Sequence, residues 1–189
     1  MPDSSIPTEI NHEQFKQKML DWVTQFDTFL FLDSNHHPDP FKKYDWILGA
    51  GVCDEIYIYD DRDEVDRVSA FAKAQKNKFQ FCRISYDYKN NLEKLGSNNT
   101  VSIDVPRLHF FVAEWVIYSL NHKIYIRNQK AQSFDLTTII HVILNSANVE
   151  IRSHDSIQVK ATCTRGEYLK QVKKMQDHIQ RGDIYEANY

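Results

Sequence analysis

Apolar residues along the chain follow two rhythms. At helical spacing, Phe15, Met19, Trp22, Val23 and Phe26 share one face, and Asn11 with Gln14 stands where an N-terminal cap belongs. Val65, Val68, Phe71 and Ala72 repeat the rhythm and predict a helix over 60–77. Its early acids, Asp60, Asp61, Asp63 and Glu64, lie where the helix dipole favours negative charge. Ser133 is placed to cap a third helix that buries Leu136, Ile139, Ile140, Ile143 and Leu144. The last begins at Thr164-x-x-Glu167, a capping box in which hydroxyl and carboxylate each take an orphan amide. Its stripe is Tyr168, Val172, Met175 and Ile179, and Gly182 supplies the left-handed stop.

The second rhythm is alternating or continuous, and it predicts strands over 28–33, 44–50, 55–59, 79–88, 109–120, 123–127 and 156–164. Gly51 to Asp54 reads as a tight turn joining an antiparallel pair, and Asn121-His122 reverses a longer pair. Residues 183–189 alternate and contain β-formers, so they read as a strand that needs a neighbour. Strands outnumber helices and are linked by short connections. The fold class is therefore α+β, with largely antiparallel sheets and packed helices.

Composition narrows the function classes. With 189 residues the chain can bury one sizeable core, and its net charge is −3. Basic residues gather no further than the pairs Lys42-Lys43 and Lys173-Lys174, which argues against nucleic acid or an anionic membrane as partner. The N-terminus is polar, and no apolar run has the length of a membrane span, so a cytoplasmic protein is expected. Three cysteines at 53, 82 and 163 form no C-x-x-C pair and read as reduced, buried thiols rather than a disulfide frame or a zinc site. Asn98-Asn99-Thr100 is read as a polar loop.

Several groupings combine residue types that can carry chemistry. Gly49-Ala50-Gly51-Val52-Cys53-Asp54 starts like a dinucleotide fingerprint, but it lacks the third Gly and a strand follows it, so it is read as a β-turn. The acids at 60–64 lack the central Gly and the last Glu of a calcium loop. His36-His37, between Asp33 and Asp39, finds no third metal ligand at a recognisable spacing and is read as a solvated turn. Leu32-x-Ser34 followed by Phe41-Lys42-Lys43-Tyr44-Asp45 brings a strand end, a hydroxyl, an aromatic ring and two cations to one rim. That rim is either a solvated strand-turn-strand or a place for a small zwitterion.

Gly182-Asp183-Ile184-Tyr185-Glu186 with Asn188, following the terminal helix, resembles the start of the catalytic domain in the chorismate-utilising synthases. This is the component I family of anthranilate and aminodeoxychorismate synthases, and Ala187-Asn188-Tyr189 is more similar to its para-aminobenzoate branch. Leu32, Ser34, Phe41, Lys43 and Tyr44 fall on the family element that lines a tryptophan pocket. Lys42 stands where a small hydroxyl residue is usual, and Asp33 where anthranilate synthases prefer Glu. Ser85-Tyr86-Asp87 with Glu93 is a further match, although Cys82 and Arg83 replace its leading Gly-Tyr. The aromatic strand 109–118 is a weaker one.

The resemblance implies an N-terminal regulatory or structural domain over 1–164. Residues 165–189 would then be the leading helix and first strand of a chorismate-binding catalytic domain. The full protein would replace the chorismate 4-hydroxyl with ammonia in para-aminobenzoate and folate biosynthesis. It would use Mg²⁺, a lysine nucleophile and ammonia from a glutamine amidotransferase subunit. No catalytic residue and no metal site are expected within 1–189; Leu32, Ser34, Phe41, Lys43 and Tyr44 are the expected effector site. The alternatives are an anthranilate or isochorismate synthase N-terminal domain, or a free-standing amino-acid-binding module.

Overall fold

A computed structural model describes residues 4–7, 9–59, 64–93, 105–130, 133–148 and 159–187. The chain divides into two compact units, Met1–Val149 and Glu150–Tyr189.

The first unit is built on one antiparallel sheet of six strands: β1 (Ser4–Ser5), β2 (Phe29–Asp33), β3 (Trp46–Ile58), β4 (Gln80–Ile84), β5 (Leu108–Leu120) and β6 (Lys123–Asn128). The order is β1-β6-β5-β3-β2, with β4 also paired to β5. β3 runs along the whole of β5 on one side; on the other, β4 takes Leu108 to Val112 and β6 takes Trp115 to Leu120. The architecture is α+β, as the periodicities predict.

Helices α1 (His12–Val23) and α4 (Leu136–Leu144) cover one face. Asn11 caps α1 by accepting from the Gln14 amide at 3.0 Å, and Phe15, Met19, Trp22 and Val23 are buried against Leu48, Ile117, Ile124 and Ile126. Each such side chain contributes roughly 1.5–3 kcal/mol of burial. From α4 come Ile139, Ile140 and Ile143. Its cap is Asp135 rather than Ser133, because the Asp135 carboxylate reaches the Thr137 amide at 3.1 Å. A second cluster gathers Phe81, Phe111, Ala113, Val116 and Tyr118, with Tyr44, Ile47, Phe79 and Tyr125 half-buried around them.

The turn expected at 51–54 is not there. Residues 46–58 form one continuous strand of 13 residues with a bulge between Val52 and Asp54. Gly51 does take the left-handed backbone a turn would need, at φ +66°, but spends it on kinking the strand while its amide donates to the Thr28 carbonyl at 3.0 Å. The Gly49-Ala50-Gly51 run thus shapes the sheet. β1 carries too short a pattern to be foreseen; it is defined by its pairing with Ile126 and Tyr125.

α2 is observed over Glu64–Ala74; the expected residues 60–63 lie outside the described residues. Its Val68, Phe71 and Ala72 are half-buried, but Val65 is exposed. β4 stops at Ile84, and a 3₁₀ turn (Tyr86–Tyr88) leads into the single turn α3 (Lys89–Leu92). Asn98-Asn99-Thr100, expected as a polar loop, lies outside the described residues. The cysteines are not buried as expected: Cys53 is half-buried, Cys82 is exposed because it alternates with buried Phe81 along β4, and Cys163 is exposed just before α5 (Arg165–Arg181), none of whose residues is buried.

In the second unit, α5 (Arg165–Arg181) has the capping box foreseen for it. The Thr164 hydroxyl accepts from the Glu167 amide at 3.3 Å, and the Glu167 carboxylate accepts from the Thr164 amide at 2.8 Å. Gly182 ends the helix at φ +79°. Two expectations fail here. No residue of α5 is buried, because its unit offers no second element among the described residues to close over the stripe. Residues 183–187 form no strand, and neither do 159–164, since strand geometry persists only with a ladder partner; 156–158, 188 and 189 lie outside the described residues.

Candidate functional site

The end of β2 and the start of β3 enclose a cleft of about 360 Å³ lined by Leu32, Asp33, Ser34, Lys42, Lys43, Tyr44, Asp45, Trp46 and Ile47. Its shape follows from how the 34–45 loop is closed. The Ser34 amide and hydroxyl both donate to the Asp45 carbonyl, at 3.0 and 2.8 Å, while the Asp45 amide donates to the Ser119 carbonyl at 2.9 Å. Asn35 and His36 both have positive φ, 48° and 58°, which lets the His37 amide return to the Ser34 carbonyl at 2.8 Å. This is the turn expected for His36-His37.

Charges on the rim are largely paired. The Asp33 carboxylate takes the Lys16 ammonium at 2.6 Å and the Asn35 amide at 2.9 Å. Burial pushes its pKa up, but these bonds and the Lys16 charge outweigh that and hold it below the usual aspartate range. Asp45 behaves alike: burial raises it, and hydrogen bonds from Lys42 (3.2 Å) and buried Ser119 (3.1 Å) bring it below its ordinary value. Lys42, which departs from the resembled pattern, thus finds its partner in Asp45. The Lys43 ammonium lies 5.2 Å over the Tyr44 ring, and Tyr44 packs edge-on to Tyr118 at 5.0 Å.

Of the five residues expected to form the site, Leu32, Ser34, Lys43 and Tyr44 line the cleft together. Phe41 does not: it is 92% exposed, because the Asp39 carboxylate captures its amide at 2.8 Å and turns the loop outward. Asp45, the last residue of the expected rim motif, also lines the cleft, and so do Trp46 and Ile47, whose only signal in the sequence is their position directly after it.

Chemically, the cleft offers an oxygen acceptor, a cation and apolar surface. The Ser34 hydroxyl proton is committed to Asp45, so its oxygen offers lone pairs and fits an ammonium better than a carboxylate. Lys43 supplies a cation, and Leu32, 53% exposed, offers apolar surface to a ring. Among the described residues no three His, Cys, Asp or Glu side chains come together as a metal site. No helix among them is long and apolar enough to cross a membrane.

The other matched motif serves local structure. The Ser85 hydroxyl caps the 3₁₀ turn by accepting from the Asp87 amide at 3.4 Å, and the Lys89 ammonium lies 4.6 Å over the exposed Tyr86 ring. The Glu93 amide closes α3 on the Lys89 carbonyl at 2.9 Å.

Residues 27–189 match the family described as chorismate binding enzyme. The chain is also similar to anthranilate synthase component 1 of Buchnera aphidicola subsp. Pemphigus spyrothecae, with 31% identity over 116 residues, 54% of this chain. It spans only 22% of that relative's length.

Proposed function

Since the chain belongs to the chorismate-binding enzyme family, we propose that it is the N-terminal, non-catalytic part of an aminodeoxychorismate synthase component I. In this reading residues 1–164 are a regulatory domain and 165–189 lead into the catalytic domain. The full protein exchanges the 4-hydroxyl of chorismate for an amino group: a C–O bond breaks, a C–N bond forms, and 4-amino-4-deoxychorismate results. Ammonia comes from a glutamine amidotransferase subunit. Mg²⁺ and the lysine nucleophile belong to residues outside this segment. The reading carries with it a cytoplasmic location, where free Cys53, Cys82 and Cys163 stay reduced.

The observation that carries the para-aminobenzoate branch is the run Gly182 to Glu186 followed by Ala187-Asn188-Tyr189, on the family match over 27–189. The cleft at Ser34 is read as an effector site for tryptophan. Its geometry supports an amino acid whose ammonium meets the Ser34 oxygen, whose carboxylate meets Lys43, and whose ring lies on Leu32, Ile47 and Tyr44.

A second reading, an anthranilate synthase, is favoured by the similarity to anthranilate synthase component 1. One assay separates the two. The full-length protein is incubated with chorismate, Mg²⁺ and ¹⁵N-ammonium, and the labelled product is weighed by mass spectrometry. The mass of 4-amino-4-deoxychorismate is expected; that of anthranilate would move the protein to the second reading, and no labelled product would remove both.

A further inference from the structure

A second cleft, of about 320 Å³, opens in the first unit between the start of β2 and the strands β3, β5 and β4. It is walled by stacked rings. Tyr57 and His109 are cross-strand partners with centroids 4.2 Å apart and planes 14° from parallel. His109 stacks on Phe111 at 5.3 Å, and Phe111 on its own cross-strand partner Phe81 at 5.5 Å. Residues opposite each other on neighbouring strands, and two apart on one strand, put rings in register in this way. The Glu55 carboxylate fixes the outer end, accepting from the Tyr57 hydroxyl at 2.9 Å and bonding His109 Nε2 at 3.1 Å. Burial, then the bond to Glu55, raise the Tyr57 phenol above its ordinary range, so it stays a neutral donor.

Besides the Thr28 and Tyr57 hydroxyls and the His109 ring, the walls carry the cation Arg83 and the anion Asp27. Arg83, the cross-strand partner of His109, donates to the Pro106 carbonyl at 2.7 Å. A guanidinium has five N–H donors in a planar fork, so this bond leaves it able to grip a carboxylate. Asp27 stands in the segment before β2. Phe29 and Tyr57 are 45% and 40% exposed there, apolar area that a flat ring would cover.

We propose that this cleft binds a small aromatic monocarboxylate, its ring against the Tyr57–His109 stack and its carboxylate on Arg83. Asp27 disfavours a second negative charge on the ligand and accepts from an amino substituent. The site shares no lining residue with the cleft at Ser34 and does not depend on which chorismate enzyme the protein is.

The test is calorimetric titration of benzoate into the full-length protein. Saturable binding is expected, weaker for cyclohexanecarboxylate, which has the charge without the flat ring. Arg83→Gln should weaken benzoate about tenfold or more, the scale of a lost charge-assisted pair. Arg83→Lys should recover part of the loss, Asp27→Asn should tighten binding, and Ser34→Ala should leave it unchanged. Thermal melts establish that each variant folds, and Asp27→Asn reads the same site should Arg83→Gln fail to fold. No saturable binding, equal binding of the two acids, or affinity indifferent to both Arg83→Gln and Asp27→Asn overturns the proposal.

Discussion

The ring of Phe81 lies so close over the backbone of Gly49 that a methyl group there would sit 2.4 Å from its Cε2 atom. Gly49→Ala therefore forces β3 and β4 apart or Phe81 out of its stack. The expected cost is about 1–3 kcal/mol, the range for overpacking a closed core. In urea melts the double variant Gly49→Ala/Phe81→Leu should lose less than the sum of the singles. Strict additivity would mean that the two residues do not meet as described.

Gly49 and Gly51 also show how far the sequence could be read. A left-handed glycine serves a turn and a bulge equally well, so 51–54 was open to either. The choice is made by β5, whose 13 residues offer a partner for the whole of β3. That information is more than fifty positions away in the chain. The caps at Asn11 and Thr164 were legible because their partners are three residues apart, whereas at α4 Asp135 takes the place expected of Ser133 by bonding an amide only two residues on. The Leu32-Ser34-Lys43-Tyr44 rim was legible as a group. The outward turn of Phe41 and the capture of the Ser34 proton by Asp45 depend on loop closure and left no local mark. The Tyr57-His109-Phe111-Phe81 stack draws on three strands, so spacing along the chain could not reveal it.

Asp45 should make the rim sensitive to acid. Its folded-state pKa is depressed, so its contribution is present above the ordinary aspartate range and is lost as pH falls through the lowered value. The carboxylate is a third exposed, and Asp45→Asn should cost only about 0.2–1 kcal/mol at neutral pH. Melting temperatures of wild type and variant should converge at low pH; a constant gap would assign the effect to something other than the charge.

The Thr164–Glu167 box should respond in the same direction. Bonds from the Thr164 amide and then the Thr164 hydroxyl hold the Glu167 carboxyl below its usual range, so the cap persists above ordinary glutamate pKa values and opens as acid protonates Glu167. Carboxyl NMR titration should give a low midpoint that rises part of the way towards normal in Thr164→Ala, which loses the hydroxyl bond but keeps the amide. The same variant should speed amide exchange in the first turn of α5, and an unchanged midpoint would dismiss the box as a source of order.

Tryptophan titrated into the full-length protein should bind at the Ser34 cleft. Covering a ring contributes a few kcal/mol at ~25 cal/mol per Å² of apolar area, and the polar end selects the amino acid. Ser34→Ala and Lys43→Ala should each weaken binding several-fold, whereas Phe41→Ala should not, because Phe41 lies outside the lining. Tight binding untouched by both Ser34→Ala and Lys43→Ala would put the effector elsewhere.

The proposed division of labour, with this segment regulating and residues outside it carrying the chemistry, is tested most directly by amination activity. Purified residues 1–189 and the full-length protein are each given chorismate, Mg²⁺ and ammonium. Formation of 4-amino-4-deoxychorismate by the full-length protein and none by the segment is predicted. Turnover by the segment alone would contradict it.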